Sequence, residues 1–317
     1  AELDRAVGDL AAGDGGRPHE VVRQEVLDLA ALELDTALLP AVLGPQEAAG
    51  EVTTAAAGYL GLTTGIPVGP GTGDNAGAAL GLGLDSGTPV ISLGTSGTAF
   101  MVSRTRTVDP SGTVAGFADA TGRFLPLAAT LNCTLAVDRI AAWLGIDREA
   151  AAERTDAVVL PYFDGERTPN LPNAAATVTG LRHDTTPEQI LRAAYEGAAL
   201  SLLGAIDVID ANSSGVDPAA PIVLVGGGAR GETWRKVIGE LSGRAIEIPA
   251  AEELVALGAA AQAASMLSGE PPETVARRWG TRRGAVLPAV ARHEEALARI
   301  RRVQQATAVL NATDPTS

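Results

Sequence analysis

Two glycine-containing segments hold the residue types that are needed to move a phosphoryl group. Residues 71–77 read Gly-Thr-Gly-Asp-Asn-Ala-Gly and place a single carboxylate, Asp74, in a turn. Residues 92–98 read Ser-Leu-Gly-Thr-Ser-Gly-Thr, which predicts a strand, a tight turn and a second strand. A carboxylate can accept the proton of an alcohol, and the N–H groups of a turn can surround phosphates. Together the two segments indicate phosphoryl transfer to a hydroxyl group.

Each of these segments also has a purely structural interpretation. Asp74 is suited to the N-cap of a helix over 75–84, because Asp is a preferred capping residue. The turn at 94–97 has the glycines of an ordinary hairpin turn. In the functional interpretation Asp74 is a general base, and the amides of Gly94, Thr95, Ser96 and Gly97, with the two hydroxyls, contact phosphates. Spacing alone leaves both interpretations open.

A third glycine segment follows an apolar run. Residues 222–229 read Ile-Val-Leu-Val-Gly-Gly-Gly-Ala, which predicts a buried strand that ends in three glycines before a helix over 231–242. Glycines in this place allow a flat ligand to lie against the backbone, whereas a tight turn rarely needs three of them. The pattern is not Gly-x-Gly-x-x-Gly, so it does not predict a dinucleotide site.

The segment 161–170, Pro-Tyr-Phe-Asp-Gly-Glu-Arg-Thr-Pro-Asn, combines scarce aromatic residues with charges. It is either a surface turn, in which Arg167 pairs with Asp164 or Glu166, or the border of a cleft between domains.

Composition excludes several classes of protein. The formal net charge of −14 makes a nucleic acid an improbable partner. Lys236 is the only lysine and follows no glycine-rich loop, so a Walker-type phosphate loop is absent. The histidines are dispersed and Cys133 is the sole cysteine, which argues against zinc sites and disulfides. No signal peptide or membrane-spanning apolar run is visible, and we expect a cytoplasmic protein.

The order of the predicted elements favours an α/β layer structure, because strands and helices alternate after a leading hairpin. A chain of 317 residues is long enough for two domains, and the change of pattern at 86/87 marks the boundary. Predicted strands are 66–68, 89–93, 98–102, 157–160, 222–226 and 244–248. Predicted helices are 21–32, 53–60, 75–84, 131–144, 147–154, 187–211, 231–242, 252–268 and 290–310.

Five segments, taken in order, resemble those of the FGGY carbohydrate kinases. They are GTGDNAG at 71–77, SLGTSGT at 92–98, PYFDGERTPN at 161–170, VLVGGGAR at 223–230 and ELVALGAAAQAA at 253–264. Within that family, the third and fifth look most like those of xylulokinases. The resemblance implies an actin-like (ribonuclease H-like) ATPase fold. It identifies 1–86 as the tail of the sugar-binding domain and 87–317 as the nucleotide-binding domain.

The resemblance also implies roles for individual residues and for two small molecules. Asp74 would deprotonate the sugar hydroxyl, with Asn75 beside it at the substrate. ATP with Mg²⁺ would be the phosphoryl donor. Its phosphates would meet the turn formed by Gly94, Thr95, Ser96 and Gly97, and its adenosine would lie beside Gly227, Gly228 and Ala229. Asn132 would lie near the nucleotide.

The activity implied is the ATP-dependent phosphorylation of a ketopentose, D-xylulose to D-xylulose 5-phosphate. Two alternatives stay open: a related kinase for gluconate, ribulose or glycerol, and a non-catalytic actin-like nucleotide-binding module. The chain resembles a kinase that lacks the beginning of its first domain, and we expect it to be inactive by itself. We expect a sugar and ATP as partners, no nucleic acid and no membrane, and leave a homodimer open.

Overall fold

A seven-stranded mixed sheet forms the centre of the molecule. The computed structural model describes residues 43–151, 153–213 and 217–312, and the helix predicted over 21–32 lies outside them. The sheet order is β11-β10-β9-β3-β4-β6-β5, with two smaller two-stranded sheets, β1-β2 and β7-β8. The strands are β1 Gly50–Glu51, β2 Pro67–Val68, β3 Val90–Leu93, β4 Gly97–Phe100, β5 Ala115–Ala118, β6 Phe124–Thr130, β7 Val158–Leu160, β8 Thr177–Thr179, β9 Ile222–Val225, β10 Ile246–Pro249 and β11 Gly284–Leu287.

Helices cover both faces of this sheet, as the predicted α/β class requires. They are α1 Thr54–Leu60, α2 Asp74–Gly81, α3 Thr134–Leu144, α4 Pro187–Ala211, α5 Glu232–Ser242, α6 Leu254–Ser268, α7 Pro272–Trp279 and α8 Glu294–Ala312, with a short 3-10 helix at Gly227–Arg230. One apolar layer joins the sheet to α3, α4, α5 and α8. The second joins the opposite face to α2, α6 and α7.

The parallel pairing of β3 with β9 brings two of the glycine segments together. Val90 lies opposite Val223 and Ser92 opposite Val225. Because parallel strands end at the same edge of a sheet, the turn after β3 and the turn after β9 are neighbours there. The parallel strand β10 ends at this edge too, directly before α6.

Helix α2 packs against α6 at a distance that only glycine permits. A Cβ atom on Gly81 would lie 2.0 Å from the carbonyl oxygen of Leu254, and one on Gly258 would lie 2.0 Å from that of Gly77. The hydroxyl of Thr281 also donates a hydrogen bond to the carbonyl of Gly81. These contacts fix α2, and with it Asp74, to the layer that contains α6.

Most predicted elements are present, with shifted ends. The helix over 187–211 is confirmed with both ends correct, and the helix predicted over 75–84 begins at Asp74 and ends at Gly81. The helix predicted over 147–154 is wrong, because the described residues of this segment form a turn and Arg148 pairs with Asp138 at 2.9 Å. Strands β1, β5, β6, β8 and β11 and helix α7 were not predicted. The boundary at 86/87 stays a prediction.

Candidate active site

Asp74 is the first residue of α2 and is exposed to solvent. Gly73 occupies the N-cap position, so the interpretation of Asp74 as the capping residue is wrong. Its Oδ1 accepts hydrogen bonds from the backbone N of Asn75 at 2.7 Å and from Nδ2 of Asn75 at 3.0 Å. Both bonds converge on one oxygen, which holds the carboxylate in a defined orientation at the start of the helix.

Asn75 connects this carboxylate to the central sheet. The hydroxyl of Thr98 donates a long hydrogen bond, 3.4 Å, to Oδ1 of Asn75. Thr98 belongs to β4 and follows Gly97, the last residue of the turn at 94–97. Asp74 and Asn75 therefore lie on the side of the sheet toward which the Thr98 side chain of β4 points. Thr98 carries no signal in the sequence beyond its place next to the turn.

The turn at 94–97 exposes its two hydroxyl residues, Thr95 and Ser96, to solvent, whereas Gly94 is half-buried and Gly97 is buried. A Cβ atom on Gly97 would lie 2.6 Å from Cδ2 of Leu202, so this position must be glycine if the turn is to pack on α4. The exposed hydroxyls next to a fixed backbone are consistent with the predicted phosphate contact.

The triple-glycine segment lies beside this turn. Gly226 has a positive φ of 86°, and Gly227–Arg230 form the 3-10 helix that follows it. A Cβ atom on Gly228 would lie 2.7 Å from the Cβ of Leu93 and 2.8 Å from Cγ2 of Thr134. The segment therefore packs directly on the end of β3, with Gly227 exposed and Gly228 and Ala229 buried.

Thr134, the first residue of α3, touches both turns, and the sequence analysis did not single it out. Its Oγ1 donates to the carbonyl oxygen of Gly94 at 2.8 Å, and its backbone N donates to the same oxygen at 3.2 Å. Its methyl group faces Gly228. Thr134 lies inside the helix predicted over 131–144, where no sequence signal separates it from an ordinary helical residue.

A cavity of about 920 Å³ opens beside the triple-glycine segment. Five cationic and two acidic side chains line it, together with Gly227 and Gly231; they are Arg148, Arg192, Arg230, Arg235, Lys236, Glu149 and Glu232. A second cavity, of about 230 Å³, lies between Gly226 and the start of α6, and Arg230 borders both. The only lysine of the chain is thus part of the wall of the larger cavity.

Arg192, which lines the larger cavity, belongs to a ring of ion pairs. Arg154 contacts Glu196 at 2.6 Å and Glu240 at 3.0 Å, while Arg192 contacts Glu196 at 2.9 Å and also pairs with Glu240. Arg192 and Glu196 are both buried. Removing one member would leave a buried charge without its partner, so the ring fixes α4 against α5.

Asn132 is buried between Thr130, which pairs with Gly97, and Thr134, which donates to Gly94. It lines a separate cavity of about 530 Å³, together with Trp143 and Phe163. Its Nδ2 donates to the carbonyl of Gly165 at 2.8 Å and to Glu166 at 3.1 Å. Its predicted contact with the nucleotide stays a prediction, and the structure shows it holding the loop 161–170 in place.

Glu166 is the buried acid of that loop. It accepts hydrogen bonds from Leu131 N at 2.6 Å, Arg167 N at 2.8 Å, Asn132 N at 3.3 Å and the Asn132 side chain. Burial raises the pKa of its carboxyl above the ordinary value, against the lowering effect of these donors. The ion pair of Arg167 with Asp164 or Glu166 is not formed, and the loop is an internal support of the strand β6 and the start of α3.

Two further observations limit the chemistry of the site. Burial raises the pKa of Cys133 to about 12, so its thiol remains protonated at neutral pH and is a poor nucleophile. Over residues 43–151, 153–213 and 217–312, no three His, Cys, Asp or Glu side chains converge on a point where a metal ion would bind.

None of the helices described in these ranges has the length and apolar character needed to cross a membrane.

Comparison with known proteins identifies relatives over the same residues. The model of the FGGY family of carbohydrate kinases, C-terminal domain, matches residues 90–267. Xylulose kinase of Streptomyces coelicolor is 58% identical over 290 residues, which are 91% of this chain and 59% of that protein. Xylulose kinase of Streptomyces rubiginosus is 59% identical over 268 residues, 84% of this chain and 55% of that protein.

Solved structures give the same answer for the fold. The xylulose kinase from Bifidobacterium adolescentis has a TM-score of 0.73 and 39% identity, over 84% of this chain and 53% of that one. The gluconate kinase from Lactobacillus acidophilus has a TM-score of 0.76 at 18% identity, which shows a shared fold alone. The predicted actin-like α/β fold is confirmed. The chain spans little more than half the length of the relatives it matches.

Proposed function

This chain belongs to the FGGY family of carbohydrate kinases, and from this premise we propose that it is the nucleotide-binding part of an ATP-dependent D-xylulose kinase. The product would be D-xylulose 5-phosphate. The proposal of D-xylulose as the substrate rests on the 58% identity to the xylulose kinase of Streptomyces coelicolor over most of the chain. That relative is far more similar than the glycerol kinase of Rhodospirillum rubrum, at 35% over 117 residues.

In this proposal Asp74 is the general base. Its carboxylate is exposed, and Asn75 occupies Oδ1 with two N–H donors, so Oδ2 is the oxygen available to receive the proton of the sugar hydroxyl. Loss of that proton makes the sugar oxygen a better nucleophile toward the terminal phosphorus. The hydrogen bond that Thr98 donates to Asn75 connects the base to β4, the strand that follows the turn at 94–97.

The nucleotide would lie along the edge of the sheet at which β3 and β9 end. The amides and hydroxyls of Thr95 and Ser96 would contact its phosphates. The adenosine would rest on Gly227, Gly228 and Ala229 and extend into the cavity of about 920 Å³. The close approach of Gly228 to Leu93 supports this placement, because a side chain at 228 would fill the contact between the turns.

Mg²⁺ would neutralise charge on the phosphates during transfer. No cluster of three ligating side chains exists in the described part of the chain, and Mg²⁺ commonly binds through substrate phosphates with few protein ligands. We therefore assign it no protein ligand and expect it to enter together with ATP.

The test joins this chain to the amino-terminal part of the Streptomyces coelicolor xylulose kinase, because the chain spans 59% of that relative. Phosphorylated product is measured with D-xylulose, D-ribulose, D-gluconate and glycerol as acceptors. We expect D-xylulose to give the highest kcat/KM. Replacing the base, Asp74→Asn, should lower kcat by about 10²–10⁴-fold while the Kd for ATP stays unchanged.

Asp184→Asn is the matched control, since Asp184 is an exposed aspartate in the turn before α4. It should leave kcat unchanged. Near wild-type turnover by the Asp74 variant would contradict the assignment of the base. A different preferred acceptor would replace xylulose as the substrate. ATP binding without phosphorylation of any of the four acceptors would instead favour the non-catalytic module.

A further inference from the structure

Thr134 lies at the junction of the two turns that the proposed function assigns to the nucleotide. Among the contacts described above, its side chain provides a hydroxyl to one turn and a methyl group to the other. The strands before these turns, β3 and β9, are separated by more than a hundred residues of sequence. Their relative position is set first by the parallel pairing of β3 with β9, and Thr134 adds a contact to each turn beyond that pairing.

The hydroxyl of Thr134 determines where the carbonyl of Gly94 points. Two donors, Oγ1 at 2.8 Å and the backbone N at 3.2 Å, turn this oxygen toward α3. A carbonyl oxygen that faced the exposed side of the turn would repel the oxygens of a phosphate. Holding it toward α3 leaves the exposed side to the hydroxyls of Thr95 and Ser96.

The methyl group of Thr134 acts on the second turn. A Cβ atom built on Gly228 would lie 2.8 Å from Cγ2 of Thr134, so the methyl group packs against the bare backbone of Gly228. Together with Leu93, whose Cβ would lie 2.7 Å from the same built atom, this contact packs the 3-10 helix Gly227–Arg230 against the end of β3. Because interiors are close-packed, removing the methyl group loosens this segment without changing its hydrogen bonds.

We propose that Thr134 is a positioning residue with two separable roles. Its hydroxyl orients the turn at 94–97, the phosphate turn, and its methyl group packs against the turn at 226–230, the adenosine turn. The proposal rests on the proposed function only in taking a nucleotide as the ligand. It can be tested on this chain alone, with no sugar present, because both turns and Thr134 lie within the described residues.

Two substitutions separate the two roles. Thr134→Val keeps the methyl group and replaces the hydroxyl with a second methyl group of similar size. Thr134→Ser keeps the hydroxyl and removes the methyl group. Binding of ATP and of adenosine to each variant is measured by calorimetry, and Tm is recorded for each as a check of folding.

We expect Thr134→Val to weaken ATP binding by about threefold to tenfold, the effect of one lost hydrogen bond, and to leave adenosine binding unchanged. Unchanged adenosine binding also shows that the variant is folded. Thr134→Ser should weaken ATP and adenosine by the same factor, because its defect lies in the adenosine turn. The ratio of ATP to adenosine affinity is the readout that a merely structural role would not move.

The proposal is overturned if Thr134→Val binds ATP as tightly as the wild-type chain, or if it loses adenosine and ATP affinity equally. It is also overturned if Thr134→Ser reproduces the selective loss of ATP. A wild-type chain that binds neither ligand is a different result, because it contradicts the nucleotide site of the proposed function itself.

Discussion

At the scale of single residues, the acids of this chain divide by environment. Asp74 is exposed at a helix start, and Glu166 is buried among four N–H donors. The exposed position of Asp74 was predictable, because the glycines around a lone aspartate indicate a turn, while its role as a base stays a prediction. The role of Glu166 was not predictable, since three of its four donors come from residues 131 and 132, more than thirty residues away.

The raised pKa of Glu166 predicts how stability depends on pH. In the folded protein this carboxyl holds its proton above pH 4.5, its ordinary pKa, so the folded state binds more protons than the unfolded state in that window. Stability from this group is therefore present at low pH and is lost as pH rises through the folded pKa. The free energy of unfolding of the wild type, minus that of Glu166→Gln, should therefore fall as pH rises from 4.5 through the folded pKa.

Urea unfolding at several pH values between 4 and 8 measures this difference. Glu188→Gln is a control of opposite sign, because a hydrogen bond from the Thr186 side chain lowers the pKa of the partly exposed Glu188. The free energy of unfolding of the wild type, minus that of Glu188→Gln, should grow as pH rises. A pH-independent difference for Glu166→Gln would show that its carboxyl titrates alike in both states.

At the scale of elements, the contact between α2 and α6 positions the proposed base. Gly258→Ala would place a Cβ atom 2.0 Å from the carbonyl oxygen of Gly77, and backbone cannot move aside as a flexible side chain can. We expect a loss of about 1–3 kcal/mol in the free energy of unfolding, the usual cost of overpacking. Gly81→Ala, at the other end of the contact, should behave alike.

Gly204→Ala is the matched control for these substitutions. Gly204 also lies inside a helix, α4, but a Cβ atom there meets nothing within 4 Å. Since alanine is the better helix former, this variant should gain about 0.5–1 kcal/mol. Equal effects at 204 and 258 in urea unfolding would contradict the close contact of the two helices.

Elements were predictable where local signals agree. Helix α4 has Thr186 and Gln189 as a capping box, Pro187 at its first position and a regular apolar face, and both of its ends were predicted. The segment 147–154 is rich in helix-forming residues but has no such face. Its charged side chains, Arg148 and Arg154, bind tertiary partners instead, which a local pattern does not reveal. The strands β5 and β6 were missed because their sequences lack a clear alternation of apolar and polar residues.

At the scale of the whole molecule, the distribution of charge is uneven. The chain carries a formal net charge of −14, yet five cationic side chains surround the larger cavity. Most of them have a partner: Arg230 pairs with Glu252 at 2.8 Å and Lys236 with Glu153 at 3.2 Å. Sequence reasoning located the three glycine segments but not this cavity, because its wall is assembled from four separate parts of the chain.

The single lysine gives a direct test of where the nucleotide lies. Lys236 is half exposed on the wall of the cavity, and periodate-oxidised ATP forms an imine with a nearby amine. We expect the reagent to label Lys236, as shown by mass spectrometry after borohydride reduction, and excess ATP to prevent it. Lys236→Arg should bind ATP and lose the label. Labelling of Lys236 that excess ATP does not reduce would place the nucleotide elsewhere.

The parallel pairing of β3 with β9 has a consequence for assembly of the site during folding. Residues 90–93 and 222–225 become neighbours only after the long intervening chain has been laid down and closed. No short peptide from this protein can contain both turns, so ligand capture has to appear late, with the global transition. A nucleotide that binds only the assembled site would then stabilise the whole fold and raise its Tm, because the ligand draws unfolded molecules into the native state.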